Sequence, residues 1–325
     1  MTKTRVSFSF FSLVCGLLVA VFLSSSILAQ RGGPPRRLAN PETIRLPGGA
    51  RVEFKAFQSA SLGKELSYSV FLPPSYDSQP ERLYPVVYFL HGLNNDHTSW
   101  ASERYGNLPG HIEDQMSQGK IPEFLMIHPS GERGFYTDSL DGQNKYESAI
   151  FQDMIEETEK AYRVRAERSA RAIGGTSMGG YGAMKIALKH AKQFAAVAAG
   201  SPIVFLGDDP LSALPDGESR FAQFLKQMVG RVFGDPIDRD HWQANSVESL
   251  ARNKDLNGLN IYFFYGTADR YGRWIPLEEG VRALDRILKE RNIEHTFKVI
   301  EGGPHGWELV QQNLDEVIAF LTQTF

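Results

Sequence analysis

Gly175-Thr176-Ser177-Met178-Gly179 is a G-x-S-x-G run between a short apolar stretch at 171–175 and a small-residue helical pattern at 178–190. A serine hydroxyl is a weak nucleophile until a base takes its proton. A sharp strand-to-helix turn projects it outward, and the glycines let neighbouring chains pass close to that turn. The helix that follows would aim its N-terminal N–H groups at the reacting centre, where they favour developing negative charge. Ser177 is therefore the candidate nucleophile, and the backbone N–H of Met178 a candidate oxyanion donor. The competing reading is a glycine-rich strand–helix turn with no chemistry. A second donor is expected at His91-Gly92-Leu93, which closes the buried apolar run 85–90, 86 residues before the serine. There the N–H of Leu93 would face the oxyanion, with His91 holding the turn rather than reacting.

The chain order expected of such an elbow is serine, then acid, then histidine. Ile261 to Tyr265 reads as a buried strand and runs into Gly266-Thr267-Ala268-Asp269, which puts a carboxylate in the loop past its end. Asp255 precedes that strand, Asp285 sits on a helix pattern, and Glu301 stands close to the candidate base as the remaining rival. Of eight histidines, His190, His241, His295 and His305 follow Ser177. His305 alone falls in a glycine-rich loop, Gly302-Gly303-Pro304-His305-Gly306-Trp307, between a late strand and the last helix. Asp269 and His305 lie 36 residues apart, room for one helix and one strand. In this arrangement His305 takes the Ser177 proton and Asp269 fixes the tautomer and charge of the imidazole.

These residues need a scaffold. Apolar alternation predicts strands at 51–58 and 64–72. Continuous apolar runs predict strands buried on both faces at 85–90, 124–127, 194–199 and 261–265. Helical spacing covers 147–161, 178–190, 277–291 and 307–323, and a last strand covers 295–300. Strand and helix alternate from residue 85 onward, which predicts an α/β fold with a mostly parallel sheet and helices on both faces. Residues 201–256 break the rhythm with clustered Pro, Asp and Gly and a helix around 219–230. They read as an insertion shaping the pocket mouth, too short for a core of its own.

With the residues placed, the chain resembles the esterase D and tributyrin-esterase family of α/β hydrolases. That group also looks like feruloyl and acetyl-xylan esterases, S-formylglutathione hydrolases and antigen 85-like mycolyltransferases. The resemblance covers about 51–325. It is carried by Tyr84-Pro85-Val86-Val87-Tyr88-Phe89-Leu90-His91-Gly92, Gly134-Phe135-Tyr136-Thr137-Asp138, Tyr162-Arg163-Val164, Gly174 to Ala183, Gly266-Thr267-Ala268-Asp269 and His305-Gly306-Trp307. It implies the α/β-hydrolase fold and carboxylic-ester hydrolysis, and assigns the catalytic roles to Ser177, Asp269 and His305. The chain departs from the pattern at Asn94-Asn95, where relatives often carry glycines; asparagine also tolerates positive φ.

The N-terminus reads as a secretory signal peptide over 1–30. Lys3 and Arg5 form a basic head, 6–23 is an apolar run, and small residues follow. Cleavage is expected after Ser26, Ala29 or Gln30; the alternative is a retained membrane anchor. Cys15, the single cysteine, lies within that run, so the mature chain has none and disulfide or zinc-finger chemistry is excluded. Residues 31–50 are rich in Gly, Pro and Arg and predict a flexible tether.

The net charge of −3 becomes −5 after cleavage, with 33 basic against 38 acidic residues, which disfavours a nucleic-acid partner. A 42% apolar, 22% charged composition suits a globular chain. Neither a metal-ligand motif nor a dinucleotide or phosphate loop occurs, so no cofactor is expected. Tyr136, Trp100 and Trp307 are candidate substrate-binding aromatics, with core packing as the competing role. The class expected is a secreted serine esterase acting on a small-molecule or carbohydrate-linked ester, with acetyl or feruloyl esters of carbohydrates in view. An acyltransferase on the same triad, a non-catalytic binder on the scaffold and a peptidase are the alternatives.

Overall fold

The computed structural model describes residues 42–102, 106–214 and 220–325. The expected signal peptide at 1–30 and the tether through residue 41 lie outside them. The strands are β1 (Ile44–Arg45), β2 (Arg51–Ser59), β3 (Lys64–Leu72), β4 (Val86–Leu90), β5 (Leu125–Pro129), β6 (Arg171–Thr176), β7 (Ala196–Gly200), β8 (Asn260–Gly266) and β9 (Thr296–Ile300). They form one sheet in the order β1-β2-β3-β5-β4-β6-β7-β8-β9. The hairpin side is antiparallel through β3–β5; every pairing from β5–β4 to β8–β9 is parallel.

β4 shows why the apolar runs are continuous. Val86, Tyr88 and Leu90 pack into one core layer with Met184 and Ile186 of helix Met178–Lys189 and Val281 and Leu284 of helix Leu277–Glu290. Val87 and Phe89 face the opposite layer with Ile112 of helix Leu108–Ser117 and Val317 of helix Leu314–Thr322. Adjacent strand residues point to opposite faces, so a strand covered on both sides must be apolar at every position.

Three expectations change. Residues 42–50, read as the end of the tether, belong to the domain. Ile44 and Arg45 pair with Val52 and Arg51, and the Glu113 carboxylate accepts from the N–H groups of Gly48 and Ala50 at 2.9 and 2.8 Å. A Gly/Pro-rich run with no apolar period hides such a strand, because its partner and its anchoring carboxylate are distant in sequence. The last helix is two, Trp307–Gln312 and Leu314–Thr322, broken at Asn313, whose side chain donates to the Leu309 carbonyl at 2.9 Å. Side-chain competition for backbone acceptors is what makes asparagine a poor helix-interior residue. The segment expected as one helix at 147–161 begins with a turn at Tyr146–Ser148, widens to a π-helical stretch at Ala149–Asp153 and continues as an α-helix over Met154–Ala161.

Between β7 and β8 lie helices Arg220–Phe233, Arg239–Gln243 and Val247–Asn253. Leu225, Met228, Val229, Trp242 and Leu250 of this segment join the same core layer as the elbow helix. No helix among the described residues is long and apolar enough to cross a membrane.

Candidate active site

Ser177 follows β6 and precedes helix Met178–Lys189 with φ 57° and ψ −119°, a conformation that costs a non-glycine residue energy. Its N–H donates to the Gly200 carbonyl at 2.8 Å, which ties the turn to β7. The glycine at 179 is a steric requirement. A Cβ there would lie 2.1 Å from the Leu90 carbonyl oxygen, so the helix can approach the end of β4 only without a side chain. Met178 opens the helix, where N–H groups lack intrahelical acceptors.

The His91-Gly92 turn lies against Ser177: a Cβ on Gly92 would sit 3.5 Å from the Ser177 Cβ. Asn94 adopts φ 64°, the positive value that asparagine tolerates. The turn that leads into Leu93 thus lies against Ser177, which Met178 follows in the chain.

His91 is fully buried and braces this turn. Its Nε2 accepts from the Gly131 N–H at 2.8 Å, so Nδ1 carries the proton and donates to the Gly92 carbonyl at 2.8 Å. Burial pushes its pKa down to about 4, and the neighbouring His128 is pushed down in the same way. Between pH 6.5 and 4 the unfolded chain therefore binds a proton at residue 91 that the folded chain refuses. Stability should fall as pH falls through that window, with a His91 share of about 3 kcal/mol. Urea unfolding at pH 7 and pH 4.5 checks this. The stability gap between wild type and His91→Gln should narrow at the lower pH; a gap independent of pH would contradict the buried neutral imidazole.

The acid and histidine loops are stitched together past β8 and β9. Thr267 N–H donates to the Ile300 carbonyl at 3.0 Å, and Ala268 N–H to the Gly303 carbonyl at 3.0 Å. The Thr267 hydroxyl accepts from the Gly302 N–H at 2.8 Å. Asp269 Oδ1 accepts from the Tyr271 N–H at 3.0 Å, while Oδ2 accepts from His305 Nδ1. Nε2 of His305 is thereby the bare nitrogen, 2.8 Å from Ser177 Oγ, and accepts its proton. The Asp269 side chain has no exposure and that of His305 has 10%, so the pair is shielded from competing water. Tyr271 stands edge-on to the imidazole at 4.6 Å.

The rival acids are elsewhere. Asp285 binds His295 and Lys289, Asp255 caps its own loop at Asn257, and Glu301 is exposed. Among the remaining histidines, His190 stacks on Phe151 and His241 packs near Phe233.

The three candidate substrate aromatics are buried, as the competing core-packing role expects. Tyr136 is fully buried, with its hydroxyl donating to the His91 carbonyl at 3.0 Å. Trp100 is fully buried and donates to Ser69 Oγ at 2.7 Å. Trp307 is 7% exposed and stacks on Phe89 in the core layer beneath the sheet. A large ring with a polar tip fills core space once that tip has an internal partner, and closeness to a catalytic residue in sequence does not reveal this.

Sequence reading passed over a different set. Tyr271 contacts Phe221, which also packs on Trp274, at 5.2 and 5.0 Å. Glu147 lies buried against Lys185 at 2.6 Å, and Lys185 Nζ also donates to the Tyr136 carbonyl at 2.6 Å. Burial alone would raise the Glu147 carboxyl, but Lys185, His190 and Lys189 outweigh it and hold it below the usual range. Lys185 sits on an otherwise small and apolar helix, which was the available signal. Among the described residues no cluster of three His, Cys, Asp or Glu could hold a metal ion.

A family model described as a putative esterase matches residues 59–321. A Mycobacterium tuberculosis protein described as an esterase is 27% identical over 282 residues, covering 83% of this chain and 59% of its own length. The chain thus spans about 59% of that relative. An acetyl esterase of Caldicellulosiruptor saccharolyticus is 27% identical over 236 residues, covering 69% of this chain and 77% of the relative. A solved ferulic acid esterase superposes with a TM-score of 0.68 at 24% identity, covering 85% of this chain and 98% of that one, and shares the α/β-hydrolase fold.

Proposed function

The chain belongs to the putative-esterase family, and on that footing we propose that it hydrolyses carboxylic esters through an acyl-enzyme on Ser177. His305 Nε2 takes the hydroxyl proton as Ser177 Oγ attacks the acyl carbon. The N–H groups of Met178 and Leu93 receive the oxyanion. The tetrahedral intermediate collapses, the imidazolium gives its proton to the departing alcohol, and water repeats the sequence to release the acid. Asp269 keeps Nδ1 protonated and stabilises the imidazolium. The observation that carries this reading is the continuous hydrogen-bonded chain from Ser177 Oγ through His305 to Asp269.

The substrates proposed are acetyl or feruloyl esters of carbohydrates. Supporting them are relatives described as an acetyl esterase and a ferulic acid esterase. Residues 1–30 are proposed to direct export and to be removed, leaving a protein outside the cytoplasm with no membrane insertion, and 201–256 to form the mouth of the pocket.

Purified chain should release 4-nitrophenolate from 4-nitrophenyl acetate with saturable kinetics, and exported chain should begin between Ile27 and Arg31 on N-terminal sequencing. No turnover of any simple ester would overturn the catalytic reading. An intact Met1 on membrane-bound material would overturn the export reading.

A further inference from the structure

The loop after β5 is the most strained segment near the site. Glu132, Phe135 and Tyr136 all have positive φ, at 45°, 50° and 50°. Non-glycine residues hold such conformations only where surrounding contacts over-determine them. Here the contacts are the Gly131 N–H to His91, the Tyr136 hydroxyl to the His91 carbonyl, and buried Lys185 to the Tyr136 carbonyl. This fixed loop carries two exposed side chains, Glu132 and Arg133.

The Arg133 guanidinium is aimed by two contacts. It donates to Asn94 Oδ1 at 3.0 Å, in the turn that carries Leu93, and its carbon lies 5.3 Å from the centroid of the Phe224 ring. Phe224 is one turn along from Phe221, which reaches the opposite wall at Tyr271, against His305. The first turns of helix Arg220–Phe233 thus span the mouth from the oxyanion side to the imidazole side. Arg133 forms no ion pair among the described residues, and its neighbour Glu132 is bound to Lys64 at 2.9 Å. Arg270 and Arg273, also exposed, lie over the rings of Tyr271 and Trp274 on the far wall. Although the chain's net charge is negative, Arg133, Arg270 and Arg273 have no ion-pair partner among the described residues.

We propose that Arg133 is an anion-binding subsite that selects esters carrying a second, negatively charged oxygen group, a carboxylate or a phosphate. This rests on the esterase reading. A guanidinium held over an aromatic ring and singly hydrogen-bonded has N–H groups left for bidentate contact with such a group. Arg270 and Arg273 add field that draws the anion in.

The test compares 4-acetoxybenzoate and 4-acetoxyphenyl phosphate with methyl 4-acetoxybenzoate, and 4-nitrophenyl succinate with its methyl ester. The ratio of kcat/KM, anionic over neutral, should exceed about tenfold for at least one ester at low salt, and should fall as salt rises. Arg133→Gln should lower that ratio by about tenfold, and Arg133→Lys by less, because the charge remains without the fork. Which anionic ester prevails separates carboxylate from phosphate. Calorimetric binding of the same esters to Ser177→Ala protein, with and without Arg133→Gln, reads the selectivity without chemistry. Equal turnover of charged and neutral esters, or a ratio that Arg133→Gln leaves alone, overturns the subsite. Anion-selective binding without hydrolysis of any ester overturns the esterase reading alone.

Discussion

Ser177→Ala should lower kcat/KM for 4-nitrophenyl acetate on the order of 10⁴-fold or more, with little loss of stability. The substitution removes one oxygen that points from the elbow toward His305 Nε2, 2.8 Å away. It leaves the backbone conformation to be held by the Gly200 contact and by the close approach of Gly179 to β4. The residual rate would come from the oxyanion donors and binding. Activity near that of wild type in the purified variant would place the nucleophile elsewhere.

The second large effect concerns the acid and the base together. Asp269→Asn keeps the shape and reach of the side chain but removes the charge that holds the imidazole tautomer, and should cost on the order of 10⁴ in kcat. His305→Ala should cost at least as much, because among the described residues no other histidine is hydrogen-bonded to Ser177 Oγ. The double variant should be hardly worse than His305→Ala, since the carboxylate acts only through the ring. Glu301→Gln, in an exposed side chain, should change kcat little. Single losses that multiply in the double variant would break the triad, and a severe Glu301→Gln with a mild Asp269→Asn would make Glu301 the orienting acid.

Much of this arrangement was legible in the sequence because its determinants are local. A strand buried on both faces shows as an apolar run, and an elbow shows as glycines flanking a serine. The loops after β8 and β9 show as Gly-Thr-Ala-Asp and Gly-Gly-Pro-His at the right order and distance. What stayed hidden depends on long-range packing. β1 has meaning only beside β2 and the Glu113 carboxylate. Trp100, Tyr136 and Trp307 look like pocket aromatics in one dimension, yet they fill core space because internal acceptors or stacking rings receive them. Tyr271, which does approach the imidazole, and Phe221, which packs on Tyr271, come from a short turn and an insertion helix whose meeting no local pattern encodes.

The most direct test of a nucleophilic Ser177 is covalent capture. Diethyl 4-nitrophenyl phosphate should transfer one diethylphosphoryl group per chain and release one equivalent of 4-nitrophenolate. Peptide mapping by mass spectrometry should then place the added mass on Ser177, and Ser177→Ala and His305→Ala proteins should stay unlabelled over the same interval. A label on any other residue, or a wild-type chain that takes up none while still hydrolysing esters, would contradict the account.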